Sequence, residues 1–294
     1  MRPWRSKHGS GPPLDDDAYF EQVVRDMAPR LSMTVLHYDP AGEVELTGMS
    51  LAGTVDLRNV RQLCRGVDRS AWGGILVDHL AGLAQVRSRP RGYDNLDRVR
   101  PLLRSRLYAE AEFLLDDVEA RPVAPGVVEA LVVSEAGTIA TLPRTQVESW
   151  HEPLEELYRQ ARAQVRAEGL PQVRDVDVDG AVLHAVESPS FFTATSVFWL
   201  PELVDVPADG ALVALPTRHL LLVHPIGDAT VVPAVQAMVV NAYAFHDQGP
   251  GSLSPHLYWW RAGTLSLLPA TVDPDRVTFR PPPDFAAVLR RLGG

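Results

Sequence analysis

Arg218 and His219 stand between two short apolar runs, 211–215 and 220–224, in the stretch Gly210-Ala-Leu-Val-Ala-Leu-Pro-Thr-Arg-His-Leu-Leu-Leu-Val-His-Pro-Ile226. Apolar runs of that length on either side of a Pro-Thr-Arg-His corner predict a buried hairpin, centred on 210–226, with the arginine and histidine at its tip. Pro216 has no N–H for a ladder and pre-sets a turn. A guanidinium held there offers five fixed donors to a carboxylate or phosphate. His224 and the Ser254-Pro255-His256 corner are candidates for the same surface. The competing reading of Arg218 is an ordinary surface arginine that caps a carbonyl or pairs with one carboxylate.

A second basic feature lies upstream. Between Arg87 and Arg106 there are seven arginines against Asp94 and Asp97, and Arg98, Arg100, Arg104 and Arg106 alternate with Val99, Pro101 and Leu103 as one face of an edge strand would. Such a face suits an anionic partner. The acidic run of Glu110, Glu112, Asp116, Asp117 and Glu119 that follows suggests the alternative, in which neighbouring segments neutralise each other.

Other constellations are weaker. Asp175-Val-Asp177-Val-Asp179-Gly180 matches half of a calcium loop, but Val186 stands where the bidentate glutamate belongs, and alternating valines predict an acidic hairpin instead. His219 and His224 are five residues apart, which in a continuous strand sends them to opposite faces, so no shared metal ion is expected. No histidine pair has helical spacing around a glutamate, and no nucleophile elbow, P-loop or dinucleotide fingerprint is present. No metal site and no cofactor are expected on these grounds. Cys64, the single cysteine, falls on the apolar face of a short helix and reads as core filler; one cysteine forms no intrachain disulfide, which fits a reducing compartment.

The chain has 294 residues, 46% of them hydrophobic, enough for two domains of ordinary size. A net charge of -9 disfavours a general nucleic-acid binder. Lys7 is the only lysine among 28 basic residues, so the choice of arginine at any one position carries little information. Residues 1–14 read as a disordered tail, because Gly and Pro and then acid stand where a secretory leader needs an apolar stretch. The uncharged run 229–246 approaches membrane-span length, but Pro233, Gln236 and Asn241 point to a buried helix, predicted over 231–248. The expectation is a cytoplasmic protein with no membrane segment.

The periodicities predict helices near 20–31, 57–64, 72–86, 153–168, 191–203 and 285–292. Strands are expected near 34–38, 43–47, 54–57, 98–107, 127–133, 138–142, 176–186, 257–261 and 264–268. The reading is an α+β protein of two packed modules, each of short, mainly antiparallel strands covered by helices, over 15–90 and 91–294.

The order of signals in the second half resembles the YtpQ-like family of uncharacterised bacterial proteins. The likeness is carried by the Ser-rich stretch 188–196, Leu200-Pro-Glu-Leu203, Pro216-Thr-Arg218-His219 and the apolar run 220–223. It extends over about 15–265 through Val99-Arg-Pro-Leu-Leu-Arg104-Ser105 and Trp150. His219 stands where that family usually has an acid. The resemblance implies a shared α+β fold and a cytoplasmic role, and no activity.

The sequence thus predicts a non-catalytic binding module for a protein or a small anionic partner, with Arg218, His219, His224, His256, Arg98, Arg100, Arg104 and Arg106 as candidate binding residues. The alternative is a hydrolase-like enzyme whose site geometry matches no familiar motif.

Overall fold

The computed structural model describes residues 15–40, 42–48, 53–88, 93–113, 118–135, 138–273 and 276–293. The tail 1–14 and part of the acidic run, Asp116 and Asp117, lie outside the described residues. The chain is α+β and divides into two compact units, Met1–Gly92 and Tyr93–Gly294.

In the first unit α1 (Asp16–Met27) begins at Asp15, whose carboxylate accepts the amides of Asp17 and Ala18. A three-stranded antiparallel meander follows, β1 (Met33–Tyr38), β2 (Glu43–Gly48) and β3 (Gly53–Asp56), then α2 (Arg58–Arg65) and α3 (Trp72–Ser88). Phe20, Val44, Leu46, Cys64, Trp72 and Leu76 meet in its core. Burial pushes the Cys64 thiol up to about 11, so it stays protonated and packs as a small apolar side chain.

The second unit opens with α4 (Leu96–Val99), a 3-10 turn at Arg100–Leu102, and β4 (Leu103–Ala109). This corrects the single strand expected over 98–107. The Asn95 side chain accepts the amides of Asp97 and Arg98 and starts a helical turn, and Pro101 cannot donate to a ladder, so pairing begins only at Leu103. Next come β5 (Ala120–Ala124), β6 (Val127–Glu135), β7 (Thr138–Thr141), α5 (Arg144–Glu148) and α6 (Leu154–Ala167). Strand β6 pairs with β4 along one edge and with β5 and β7 along the other. Leu103, Leu131 and Val133 pack against Leu157, Tyr158 and Ala161 of α6.

The larger sheet contains β8 (Gln172–Val178), β9 (Ala181–Glu187), β10 (Ala211–Thr217), β11 (Leu220–Pro225), β12 (Leu257–Arg261) and β13 (Thr264–Leu268). It is antiparallel, in the order β13-β12-β10-β11-β9-β8. The hairpin expected over 210–226 supplies its two central strands. On one face Leu212, Ala214 and Leu222 pack under Met238 of α7 (Val231–Gln248). On the other, Val213, Leu215 and Val223 meet Leu107, Val127 and the 3-10 segment Thr193–Glu202. Covered on both faces, these strands read as unbroken apolar runs rather than alternating ones.

Within 191–203, expected as an α-helix, Thr193–Glu202 form that 3-10 segment, broken at Trp199 (φ -126°, ψ 37°) just ahead of Pro201. The Pro-rich end holds a ribbon with no counterpart among the expected strands, β14 (Ala270–Asp273) with β15 (Arg276–Phe279), before α8 (Pro283–Gly293). Among the described residues no helix is long and apolar enough to cross a membrane.

Candidate functional site at the hairpin tip

The tip is two residues long, Arg218 and His219 between the paired Thr217 and Leu220, and its backbone is tied down on both sides. Pairing of β10 with β11 is interrupted between Ala214 and Thr217, where Pro216 sits. On the opposite edge of β10 the residues 251–254, just ahead of β12, continue the pairing that β12 begins. The Leu253 amide donates to the Pro216 carbonyl at 2.9 Å, the Ser254 amide to Leu215 at 3.0 Å, and the Arg218 amide to Gly251 at 2.8 Å. From the opposite side the Ala194 amide donates to the Arg218 carbonyl at 3.1 Å, and the His219 amide reaches Thr217 Oγ1 at 3.3 Å. With these partners in place the tip holds its shape without waiting for a ligand to order it.

Three side chains from two places, the hairpin tip and β4, converge on Phe191, a residue 41% exposed. The Arg218 guanidinium carbon lies 5.4 Å from the ring centroid, that of Arg106 lies 5.7 Å from it, and the His219 ring is 5.4 Å away. Arg218 lies flat along Gly251: a Cβ there would be 2.2 Å from Arg218 Nε, and the glycine has φ +73°. Arg218 Nε donates to His219 Nε2 at 3.3 Å, and His219 Nδ1 faces the Ser190 carbonyl at 3.0 Å. With Nε2 accepting, Nδ1 carries the proton and the ring is neutral. Burial first, then the Arg218 charge, holds the His219 pKa below its ordinary value, and Arg106 adds to the effect. Two cations therefore surround a histidine that stays uncharged.

Arg106 is the unusual member. It is 8% exposed, its Nε is buried without a hydrogen-bond partner, and no ion pair to it forms among the described residues. Its guanidinium carbon lies 4.4 Å from the centre of the Tyr108 ring and 5.7 Å from that of Phe191. The fully buried Glu129 of the same unit, by contrast, is matched. Glu129, 0% exposed, accepts from Arg162 Nε and Nη2 at 2.6 Å each, from Arg121 Nε at 2.8 Å and from the Ser105 hydroxyl. Arg121 and Arg162 are backed by the rings of Tyr158 and Phe198 at 3.8 and 3.5 Å.

The remaining candidates separate from this cluster. Arg100 donates to Gln160 at 2.6 Å and Glu152 at 2.9 Å, and Arg104 bonds Glu168, Gln164 and the carbonyls of Pro101 and Leu103. Their acceptors lie on or beside α6, so the expected pairing with the acidic run just downstream is corrected; Arg98 is exposed on α4. His224 is buried toward the start of α7, its Nδ1 2.9 Å from the Val182 carbonyl and its Nε2 3.3 Å from Thr230 Oγ1, away from the tip. His256 lies beside Gly126, its pKa lowered by burial. Asp175 turns to His184 at 2.6 Å and Asp177 accepts the Gly180 amide, and among the described residues no three histidine, cysteine or acidic side chains are grouped to hold a metal.

Phe191 and Gly251 complete the site, and neither was a candidate from sequence. The stretch Ser188-Pro-Ser190-Phe191 carried only the signal of a polar loop entering an apolar segment. No family model, no curated protein and no solved structure matches the chain.

Proposed function

We propose that the chain is a binding module whose ligand presents a small anionic group between Arg106 and Arg218 at the tip of the β10–β11 hairpin. The observation that carries this reading is Arg106, a guanidinium 8% exposed with no ion pair among the described residues, in a unit where Glu129 is matched by two arginines. Burying an unmatched cation costs stability, and a ligand that supplies the missing acceptors recovers it. His219 serves as a positioning residue, since its neutral ring accepts from Arg218 Nε. Cytoplasmic residence and kinship with the YtpQ-like family belong to the same proposal, supported by the buried thiol of Cys64 and by the order of the motifs from 188 to 223.

The test is thermal unfolding in phosphate, sulfate or chloride at constant ionic strength. A bound anion at a hundred times its Kd stabilises the parent by about 2.7 kcal/mol, and Arg106→Met or Arg218→Lys should remove that gain. A parent that melts identically in all three salts, or variants that keep the full gain, would refute the site.

A further inference from the structure

A cleft of about 300 Å³ opens between β5, α6, the 3-10 segment and the turn joining β12 to β13. Arg121 of β5 and Arg162 of α6 both line it, Phe198, Trp260 and Leu265 give it apolar walls, and no carboxylate is part of its lining. The two guanidinium groups stand side by side because both donate to Oε2 of Glu129, Arg121 through Nε at 2.8 Å and Arg162 through Nη2 at 2.6 Å. Arg162 also reaches the other oxygen through Nε at 2.6 Å, so it alone makes the complete two-pronged pair. Arg121 brings a positive charge beyond what the buried carboxylate needs. Its Nη1 donates to Glu155 at 2.8 Å, but that carboxylate is 86% exposed and its hold is weakened by water. Among the described residues Arg121 Nη2 and Arg162 Nη1 have no hydrogen-bond partner, while the rings of Tyr158 and Phe198 hold the two groups in place.

We propose that this cleft is a second binding site, for a monocarboxylate carried on a single aromatic ring, with the carboxylate bridging Arg121 and Arg162. The charge count selects the anion. Two guanidinium groups over one buried carboxylate leave one positive charge, which a carboxylate matches and a phosphoryl group, with close to two negative charges, exceeds. The two open nitrogens, one on each arginine, can each meet one carboxylate oxygen. The volume is at the small end of the range for ligand pockets, which suits one ring against Phe198, Trp260 and Leu265. Neither Arg106 nor Arg218 lines this cleft, so the two sites stand or fall separately.

Calorimetric titration of the full chain compares benzoate with benzamide, acetate and phenyl phosphate. Benzoate is expected to bind about tenfold tighter than benzamide, which lacks the charge, and about tenfold tighter than acetate, which lacks the ring. Thr264→Trp, at an exposed position in the cleft wall, should abolish benzoate binding, and Arg106→Met should leave it intact. Should the bulky variant unfold, Arg121→Met, which leaves Glu129 its two-pronged pair with Arg162, gives the same loss. Glu155→Gln releases Arg121 Nη1 and should tighten benzoate roughly threefold; weaker binding in that variant would overturn the charge argument. Benzamide equal to benzoate would remove the role of the arginines, acetate equal to benzoate that of the apolar walls, and phenyl phosphate tighter than benzoate the carboxylate assignment. Benzoate binding that is absent, or that is lost in Arg106→Met and kept in Thr264→Trp, would overturn the cleft as a site without touching the reading of the hairpin tip.

Discussion

Arg106 and Arg162 are both arginines of the second unit that lie largely out of water, yet truncating them should have opposite effects on stability. Arg162→Met breaks a two-pronged pair to Glu129 and leaves a carboxylate 0% exposed with only Arg121 and Ser105 for support. Loss of one partner of such a pair costs about 3–5 kcal/mol. Arg106→Met removes a cation whose Nε is unsatisfied, a defect worth about 1–3 kcal/mol, and forfeits a cation–ring contact worth about 0.5–2 kcal/mol. Methionine keeps most of the stem that packs beside Tyr108. The net expectation is a stabilisation of about 1 kcal/mol, or roughly 2–4 °C in Tm for a domain of this size. The assay is denaturant and thermal unfolding of parent and both variants in chloride buffer free of phosphate. An Arg106→Met protein that loses as much stability as Arg162→Met would show that Arg106 is a structural partner, and the site would have no basis.

Three further outcomes are expected. Met238→Asp puts a carboxylate between α7 and the larger sheet and should cost several kcal/mol in urea unfolding; a variant that melts like the parent would place the helix outside the core. His219, His224, His246 and His256 all have pKa values lowered chiefly by burial, so below about pH 6.5 the unfolded chain takes up protons that the folded protein refuses. Stability should therefore be full above that pH and fall as pH drops through the lower folded values; a Tm that is flat between pH 7 and 5.5 would contradict this. Gly251→Ala should displace Arg218 and weaken anion binding more than about tenfold, whereas Gly263→Ala, also at positive φ but with open space around it, should cost only about 1 kcal/mol of stability and no affinity.

Much of the fold was legible because its elements obey simple periods. The hairpin and α7 stand out as uninterrupted apolar runs of strand and helix length, and the β8–β9 hairpin is marked by Asp179-Gly180, both at positive φ. Arg218 and Arg106 were each visible as candidates, but their meeting was not. They are far apart in sequence, and their approach depends on how the turn ahead of the 3-10 segment places Phe191 beside both β4 and the hairpin tip, a tertiary arrangement that no local pattern encodes. The partners of Arg100 and Arg104 were missed for a related reason. A sequence reading reaches the nearest acids along the chain, while the true acceptors, Gln160, Gln164 and Glu168, are on and beside a helix that packs back onto β4. Reading 98–107 as one strand failed because alternation over so few residues is also satisfied by a capped helical turn followed by a strand.

Glu129 has a consequence for how the smaller sheet assembles. Its neighbours Val128 and Ala130 face the opposite side of β6, among Tyr108 and Val132. A slip of β6 by one residue against β4 and β5 would exchange those faces, lifting the carboxylate away from Arg121, Arg162 and Ser105 and setting it among apolar side chains. At the same time two guanidinium groups would lose their shared anion. Strands rich in valine and alanine pair almost equally well in several registers, so the single charge in the middle of β6 acts as an alignment mark: only one alignment discharges it, and every other carries the cost of a bare ion in the core.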